Sequence, residues 1–139
     1  MNSLVEIART IAEEAHRGQT RRDGTTPYIV HPKAVAERVG DSVDCVAAAW
    51  LHDVLEDSSM TADDLRRRGV TEQVIVAVEL LTRENHTAYD EYLKRIAENA
   101  IARRVKIADM LTNLSDAPTR RQIRKYASGL LRLVPENDG

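Results

Sequence analysis

The stretch from Val43 to Asp57 constrains this chain more than any other. Drawn as a helix at ~100° per residue, it carries Val46, Ala47, Trp50, Leu51, Val54 and Leu55 over more than half its circumference. Cys45 and Ala49 begin the remaining arc, so for two turns the helix is apolar almost all round, the pattern of a buried helix. It then presents His52, Asp53, Glu56 and Asp57 on one side. Burying a carboxylate without a partner costs several kcal/mol. Either a cation or hydrogen-bond donors answer this cluster, or the helix emerges into solvent at Leu51 and the four groups are simply wet.

A buried helix needs other elements wrapped around it, and the rest of the chain reads as short helices without strand alternation. Leu4, Ile7, Ala8, Ile11, Ala12 and Ala15 recur at helical spacing, with Gly18 as the stop. Residues 18–30 accumulate Gly, Arg, Asp, Thr and Pro and read as a loop. A helix restarts at Pro32 and runs to about Gly40, and the next covers Val43 to Leu55. Thr61 and Asp64 approximate a capping box for a short helix ending before Gly69. Thr71 can cap a helix carrying Val74, Ile75, Val78 and Leu81. Tyr89, Leu93, Ile96 and Ala97 mark another helix, Ala100 to Asp116 a longer one, and Pro118 opens a basic amphipathic segment through Leu133. The expected fold is all-α. No repeat or linker divides the chain, so residues 1–139 are expected to form a single domain, with residues 136–139 as a loose tail.

Composition narrows the function classes. The 139 residues lie within the ~100–200 of one domain. With 42 % apolar and 30 % charged residues the chain is not mostly disordered, and without phenylalanine its core must be Ala, Val, Leu and Ile. A net charge of −2 argues against nucleic acid as a partner, despite clusters at Arg66–Arg68 and Arg120–Arg121. The single Cys45 allows neither an intrachain disulfide nor a cysteine-rich zinc framework. Glu6, Arg9 and Glu13 interrupt any signal-peptide core, and no apolar stretch approaches the ~20 residues that span a bilayer. The expectation is a soluble cytoplasmic protein without a membrane partner. Leu130, Leu131, Leu133 and Val134 offer a face for the domain itself or for a neighbouring subunit.

Two further features add to the His52–Asp53 cluster. His31 ends the loop directly before Pro32, and Asp109 lies on the long helix, one turn before Asn113. On that helix Ile107, Leu111 and Leu114 form an apolar face, and Lys106, Asp109, Asn113 and Asp116 share the other, which alone would read as a solvated surface. Together His31, His52, Asp53 and Asp109 make two imidazoles and two carboxylates. Mixed nitrogen and oxygen ligation suits manganese, iron or another divalent transition metal better than calcium.

This ordered set resembles the metal-binding signature of the HD phosphohydrolase superfamily. The flanking motifs are similar to the hydrolase domain of RelA/SpoT-type alarmone enzymes: Ala15–His16–Arg17–Gly18–Gln19, Arg21–Arg22–Asp23–Gly24, Pro27–Tyr28–Ile29–Val30–His31–Pro32, Leu51–His52–Asp53–Val54–Leu55–Glu56–Asp57, and Val105–Lys106–Ile107–Ala108–Asp109 with Asn113–Leu114. The resemblance covers about residues 4–116. It implies an HD-type helical bundle with a metal site between helices and Mn²⁺ as the metal. It also implies removal of the 3′-pyrophosphate from ppGpp or pppGpp, the stringent-response alarmones, to give GDP or GTP. On this resemblance His31, His52, Asp53 and Asp109 are metal ligands, and Glu56 and Asp57 activate or position the attacking water. Arg21 stacks on the base, and Asn113 lies against the sugar. Arg17, Arg22, Lys33 and Lys106 are candidates for phosphates.

Two positions depart from the pattern. Thr25–Thr26 stand where one residue is usual, and Asp116 stands where the bifunctional enzymes carry a threonine near the guanine. They keep open another nucleotide phosphate ester as substrate. A non-catalytic HD-type sensor or partner-binding module is the third reading, opposed by the intact Glu56–Asp57 pair. His16, Trp50 and Cys45 read as packing residues, His86 as exposed, and Arg120 to Lys125 as a solvated helix face.

Overall fold

The computed structural model describes residues 3–136, so residues 137–139 of the expected tail lie outside the described residues. In chain order the helices are α1 (Leu4–Ala15), α2 (Val30–Arg38), α3 (Val43–Leu51), α4 (Val54–Asp57), α5 (Ala62–Arg67), α6 (Glu72–Leu81), α7 (Tyr89–Ala97), α8 (Ala100–Leu114) and α9 (Arg120–Leu133). Among the described residues there is no strand, only an isolated bridge between Thr20 and Pro27. The fold is all-α, as the periodicity indicates.

α3 is the axis around which the bundle forms. It packs against α1, α2, α6 and α8, and Cys45, Ala47, Ala48, Ala49, Trp50 and Leu51 are all buried. One cysteine and three alanines within two turns leave little side-chain bulk, so the neighbouring helices approach closely. Local signals set the ends of the surrounding elements. Ser3 with Glu6, Thr61 with Asp64 and Thr119 with Gln122 form reciprocal capping boxes. Thr71 is the N-cap of α6 but its side chain makes no capping bond.

Two boundaries depart from the expectation in ways that matter for function. The expected helix Val43–Leu55 stops at Leu51; His52 and Asp53 form a turn, with the His52 amide donating to Ala49 O at 3.4 Å, before α4 resumes. That turn directs His52 into the protein instead of out along the helix. α2 begins at Val30, so His31 is inside its first turn, and Pro32 follows where no intrahelical N–H bond is due. The amides of Val30 and His31 donate to Pro27 O and Tyr28 O, which replaces a side-chain cap.

α8 also turns the other way from its expected register. Ala102, Val105, Ala108, Asp109, Met110 and Thr112 are buried, whereas Leu111 is 38 % exposed. The small residues Ala102 and Ala108 bring α8 close to its neighbours and carry Asp109 inward with them. α9 lies against α8 at Gly129, where an added Cβ would stand 2.6 Å from Met110 Cε. Among the C-terminal apolar residues Leu133 is buried in the same domain and Leu131 is exposed. No helix among the described residues is long and apolar enough to cross a membrane.

Candidate active site

Three elements bring four expected side chains together. His31 comes from the first turn of α2, His52 and Asp53 from the break after α3, and Asp109 from the middle of α8. His31 Nε2 lies 2.8 Å from Asp109 Oδ1, and His52 Nε2 lies 3.0 Å from Asp53 Oδ2 and 3.7 Å from Asp109 Oδ1. His31, His52 and Asp109 are buried, so the solvated reading fails for these three. One ligand atom from each lies within 4.8 Å of the others, close to the span allowed by bonds of ~2.0–2.2 Å to one ion.

Hydrogen bonds around the cluster fix how each group faces it. His52 Nδ1 is 2.6 Å from Ala49 O, a carbonyl that only accepts, so Nδ1 carries the proton. The neutral ring then points its Nε2 lone pair at two carboxylates, and Nε2 is buried without a hydrogen-bond partner. A lone pair facing two anions requires a proton or a metal cation between them. Without metal, burial pulls the His52 pKa down, but the charges and hydrogen bonds of Asp53 and Asp109 outweigh it and hold the imidazole well above its ordinary value. Asp109 is driven well below the carboxylate range: burial opposes this, while Lys106, His31 and His52 favour the anion. The donor set of two imidazole nitrogens and carboxylate oxygens therefore fits a divalent metal ion.

The supporting residues are as specific as the cluster. Lys106 Nζ donates to Asp109 Oδ2 at 3.1 Å, and Asn113 Nδ2 donates to Asp109 Oδ1 at 3.2 Å. Lys106 is thereby committed to the carboxylate, with its ammonium 5.4 Å over the Tyr92 ring. Burial pushes the Tyr92 hydroxyl up to about 12, and that hydroxyl donates to Leu81 O. Asp53 accepts from the Tyr28 hydroxyl at 2.5 Å. Tyr28 is a residue whose role residue-by-residue reasoning missed; a polar aromatic three places before His31, in the turn that caps α2, was the available signal.

An open cavity of about 620 Å³ lies over the cluster, and Tyr28, His31, Asp53, Asp109 and Asn113 line it together with Arg21 and Asp116. The Arg21 guanidinium is 5.7 Å over the Tyr28 ring and 3.5 Å from Asp116 Oδ2. Glu56 and Asp57 are exposed on α4. Glu56 Oε1 accepts from the Arg83 amide at 3.0 Å, and Gln19 Nε2 donates to the Asp57 carbonyl at 2.8 Å. Burial, then the charges of Asp53 and Glu56, raises the Asp57 carboxyl above its ordinary value. His16 is buried beside Tyr28 and bonded to Gln19, and His86 is exposed.

Fold and donor set together define an all-α HD-domain helical bundle with a candidate metal site between its helices. The chain resembles the hydrolase domain of RelA/SpoT-type enzymes. No protein-family model matches it. It is 47 % identical over 58 residues to the guanosine-3′,5′-bis(diphosphate) 3′-pyrophosphohydrolase of Vibrio cholerae, covering 40 % of this chain and 8 % of that protein. The protein of the same name in Aquifex aeolicus is 34 % identical over 121 residues, 79 % of this chain and 17 % of that protein. The chain thus spans less than a fifth of these curated relatives. Among solved structures, a metazoan ortholog of SpoT that hydrolyzes ppGpp superposes with a TM-score of 0.73 at 25 % identity, covering 96 % of this chain and 84 % of that one.

Proposed function

We propose that this chain is a Mn²⁺-dependent phosphohydrolase that removes the 3′-pyrophosphate of (p)ppGpp, releasing GDP or GTP and pyrophosphate in the cytoplasm. The observation that carries the reading is His52 Nε2, locked by Ala49 O into facing two carboxylates at the floor of an open cavity. The similarity to proteins named for this reaction supports it.

In this reading His31, His52, Asp53 and Asp109 hold the metal. When bound, the ion lowers the pKa of a water at the site and offsets negative charge growing on phosphate oxygens, worth several kcal/mol. The chain's own residues orient this centre. Lys106 holds Asp109 Oδ2, which leaves Oδ1 toward the imidazoles, and Tyr28 fixes Asp53 through Oδ2, the same oxygen that faces His52. Glu56 and Asp57 take and hold the proton of the attacking water. The raised carboxyl of Asp57 suits it to accept a proton nearer to neutrality than an ordinary aspartate would. Arg21, its guanidinium 5.7 Å over the Tyr28 ring, offers the base a planar cation to stack on, and Asn113 reaches from Asp109 toward the sugar.

The test is a substrate panel with Mn²⁺: guanine and adenine alarmones, nucleoside phosphates and NADPH. Pyrophosphate release from ppGpp is expected. Orthophosphate release from another nucleotide would change the substrate and keep the chemistry, an outcome favoured by the carboxylate of Asp116 on the cavity wall beside Arg21. Silence across the panel would leave a binding module.

A further inference from the structure

α4 is a single turn, Val54–Asp57, yet it carries both Glu56 and Asp57. One turn has too few internal bonds to hold itself, and its last carbonyls find no partner inside it. Glu56 is held from one side by the Arg83 amide. The Asp57 carbonyl is held from the other by Gln19 Nε2, at 2.8 Å. Gln19 is half-buried just after α1, the helix that α4 packs against. Neither Gln19 nor the neighbouring His16 lines the cavity.

The Gln19 amide can face only one way. Its Nε2 end lies 3.3 Å from Ala15 O and 2.8 Å from Asp57 O, and carbonyls only accept, so the donor end stands there. Oε1 is then the atom 2.8 Å from His16 Nδ1, and an oxygen without a proton requires one on Nδ1. His16 is 2 % exposed and its Nε2 has no partner, so the bond to Gln19 is the ring's single hydrogen bond. The sequence reads His16 as a packing residue; the structure adds that its ring fixes the rotation of the Gln19 amide.

The backbone of Gln19 ties the same point to the metal-ligand side. Its carbonyl accepts from the Tyr28 amide at 2.9 Å, and the Tyr28 hydroxyl holds Asp53. Chain and hydrogen bonds thus close a ring, from Gln19 through Tyr28 and Asp53, along α4 to Asp57 and back to the Gln19 side chain. We propose that Gln19, oriented by His16, is a positioning residue that fixes Asp57 relative to Asp53, so that the group taking the proton of the attacking water stays in register with the metal ligand. The catalytic purpose rests on the hydrolase reading above; the strut itself does not.

The test compares the wild type with Gln19→Met, which keeps the side chain's length and removes both hydrogen-bonding ends. Gln19→Glu still accepts from His16 but no longer donates to Asp57 O, and it carries the comparison if Gln19→Met melts below the assay temperature. With Mn²⁺ and ppGpp both variants should lose roughly 10- to 100-fold in kcat, the scale of a misplaced reacting group, with KM and Mn²⁺ affinity within about threefold of wild type. In an Asp57→Asn background the same substitutions should cost less than about twofold, because the group they position is already gone. A full loss in that background, or a loss carried in KM, would overturn the proposal. His16→Asn, whose side-chain amide can replace the Nδ1 donor, should keep most of the turnover that His16→Leu loses, although both give up the ring's contact with Tyr28. Equal losses would overturn the role of His16. Amide hydrogen exchange needs no substrate. Exchange at Asp57 and Ser58, whose amides close the turn on Asp53 O and Val54 O, should quicken about tenfold or more in Gln19→Met while that of Ile11 in α1 holds. Cleavage of ppGpp by the wild type with unchanged exchange in the variant sinks the strut alone. A wild type silent on ppGpp, with quickened exchange in the variant, sinks the hydrolase reading and keeps the strut.

Discussion

The floor and the rim of the first cavity are built on different terms. At the floor His31, His52 and Asp109 are buried, Asp53 is half-buried, and each carboxylate is held more than once: Asp109 meets His31, His52, Lys106 and Asn113, and Asp53 meets His52 and Tyr28. At the rim Arg21 has a ring and one long contact to Asp116, and outside the cavity wall the exposed Glu56 of α4 has one backbone amide. Desolvation explains the contrast. A buried carboxylate without partners is too costly to keep, so the fold must supply a complete set of them. An exposed side chain is satisfied by water whichever way it turns, which leaves the rim free to adapt to a ligand.

The largest effect should come from breaking the floor. Asp109→Ala removes a metal ligand and strands the Lys106 ammonium, which is 15 % exposed, without its acid. Loss of one partner of such a buried pair costs about 3–5 kcal/mol. The variant should melt well below the wild type even without metal, and Mn²⁺ should no longer raise its melting temperature. A rim substitution should do neither. Glu56→Gln should keep the metal-dependent rise in melting temperature and lower turnover by roughly 10²–10⁴-fold. Wild-type turnover in that variant would remove Glu56 from the mechanism. Lys106→Met falls between the two, as it keeps much of the packing on Tyr92 but frees the Asp109 carboxylate to rotate. Metal titration should show a loss of roughly 10- to 100-fold in affinity, typical of a lost partner to a ligand.

The same contrast accounts for what could be read without coordinates. The all-helical bundle and the floor residues are legible because apolar periodicity and chemically demanding residues constrain the fold strongly. The inward turn of α8 was not, because the residues that bury are Ala102, Ala108 and Thr112, whose small size matters only against neighbouring helices. Nor was the break at His52–Asp53, since no glycine or proline marks it and the carbonyl of Ala49 that receives His52 bears no sequence signal. Lys106 illustrates the limit most clearly. A lysine on the polar face of a helix suits a phosphate as well as a carboxylate, and only the register of α8 commits it to Asp109.

The smallest expected effect sharpens the comparison among the exposed groups, where Asp23 on the cavity wall and Asp57 on α4 are shifted in opposite directions. Asp23 accepts from the hydroxyl and amide of Thr26 and from the amide of Thr25, bonds that favour its charged form and bring its pKa to about 2. Its contribution to loop order is therefore complete above its ordinary value of 3.8 and is lost only as pH falls through about 2. Asp57 is the reverse case, raised by burial and then by Asp53 and Glu56, so the fold disfavours its charged form and it binds a proton above 3.8. As a metal-free sample is acidified, carboxyl resonances should show Asp57 titrating before Asp23. The Thr25 and Thr26 amides should hold their shifts until the second event. Asp23→Asn should remove that late event and leave the first in place. If the two amides instead move with Asp57, the loop draws its order from the acidic cluster, and the separation of floor from rim does not extend to residues 21–26.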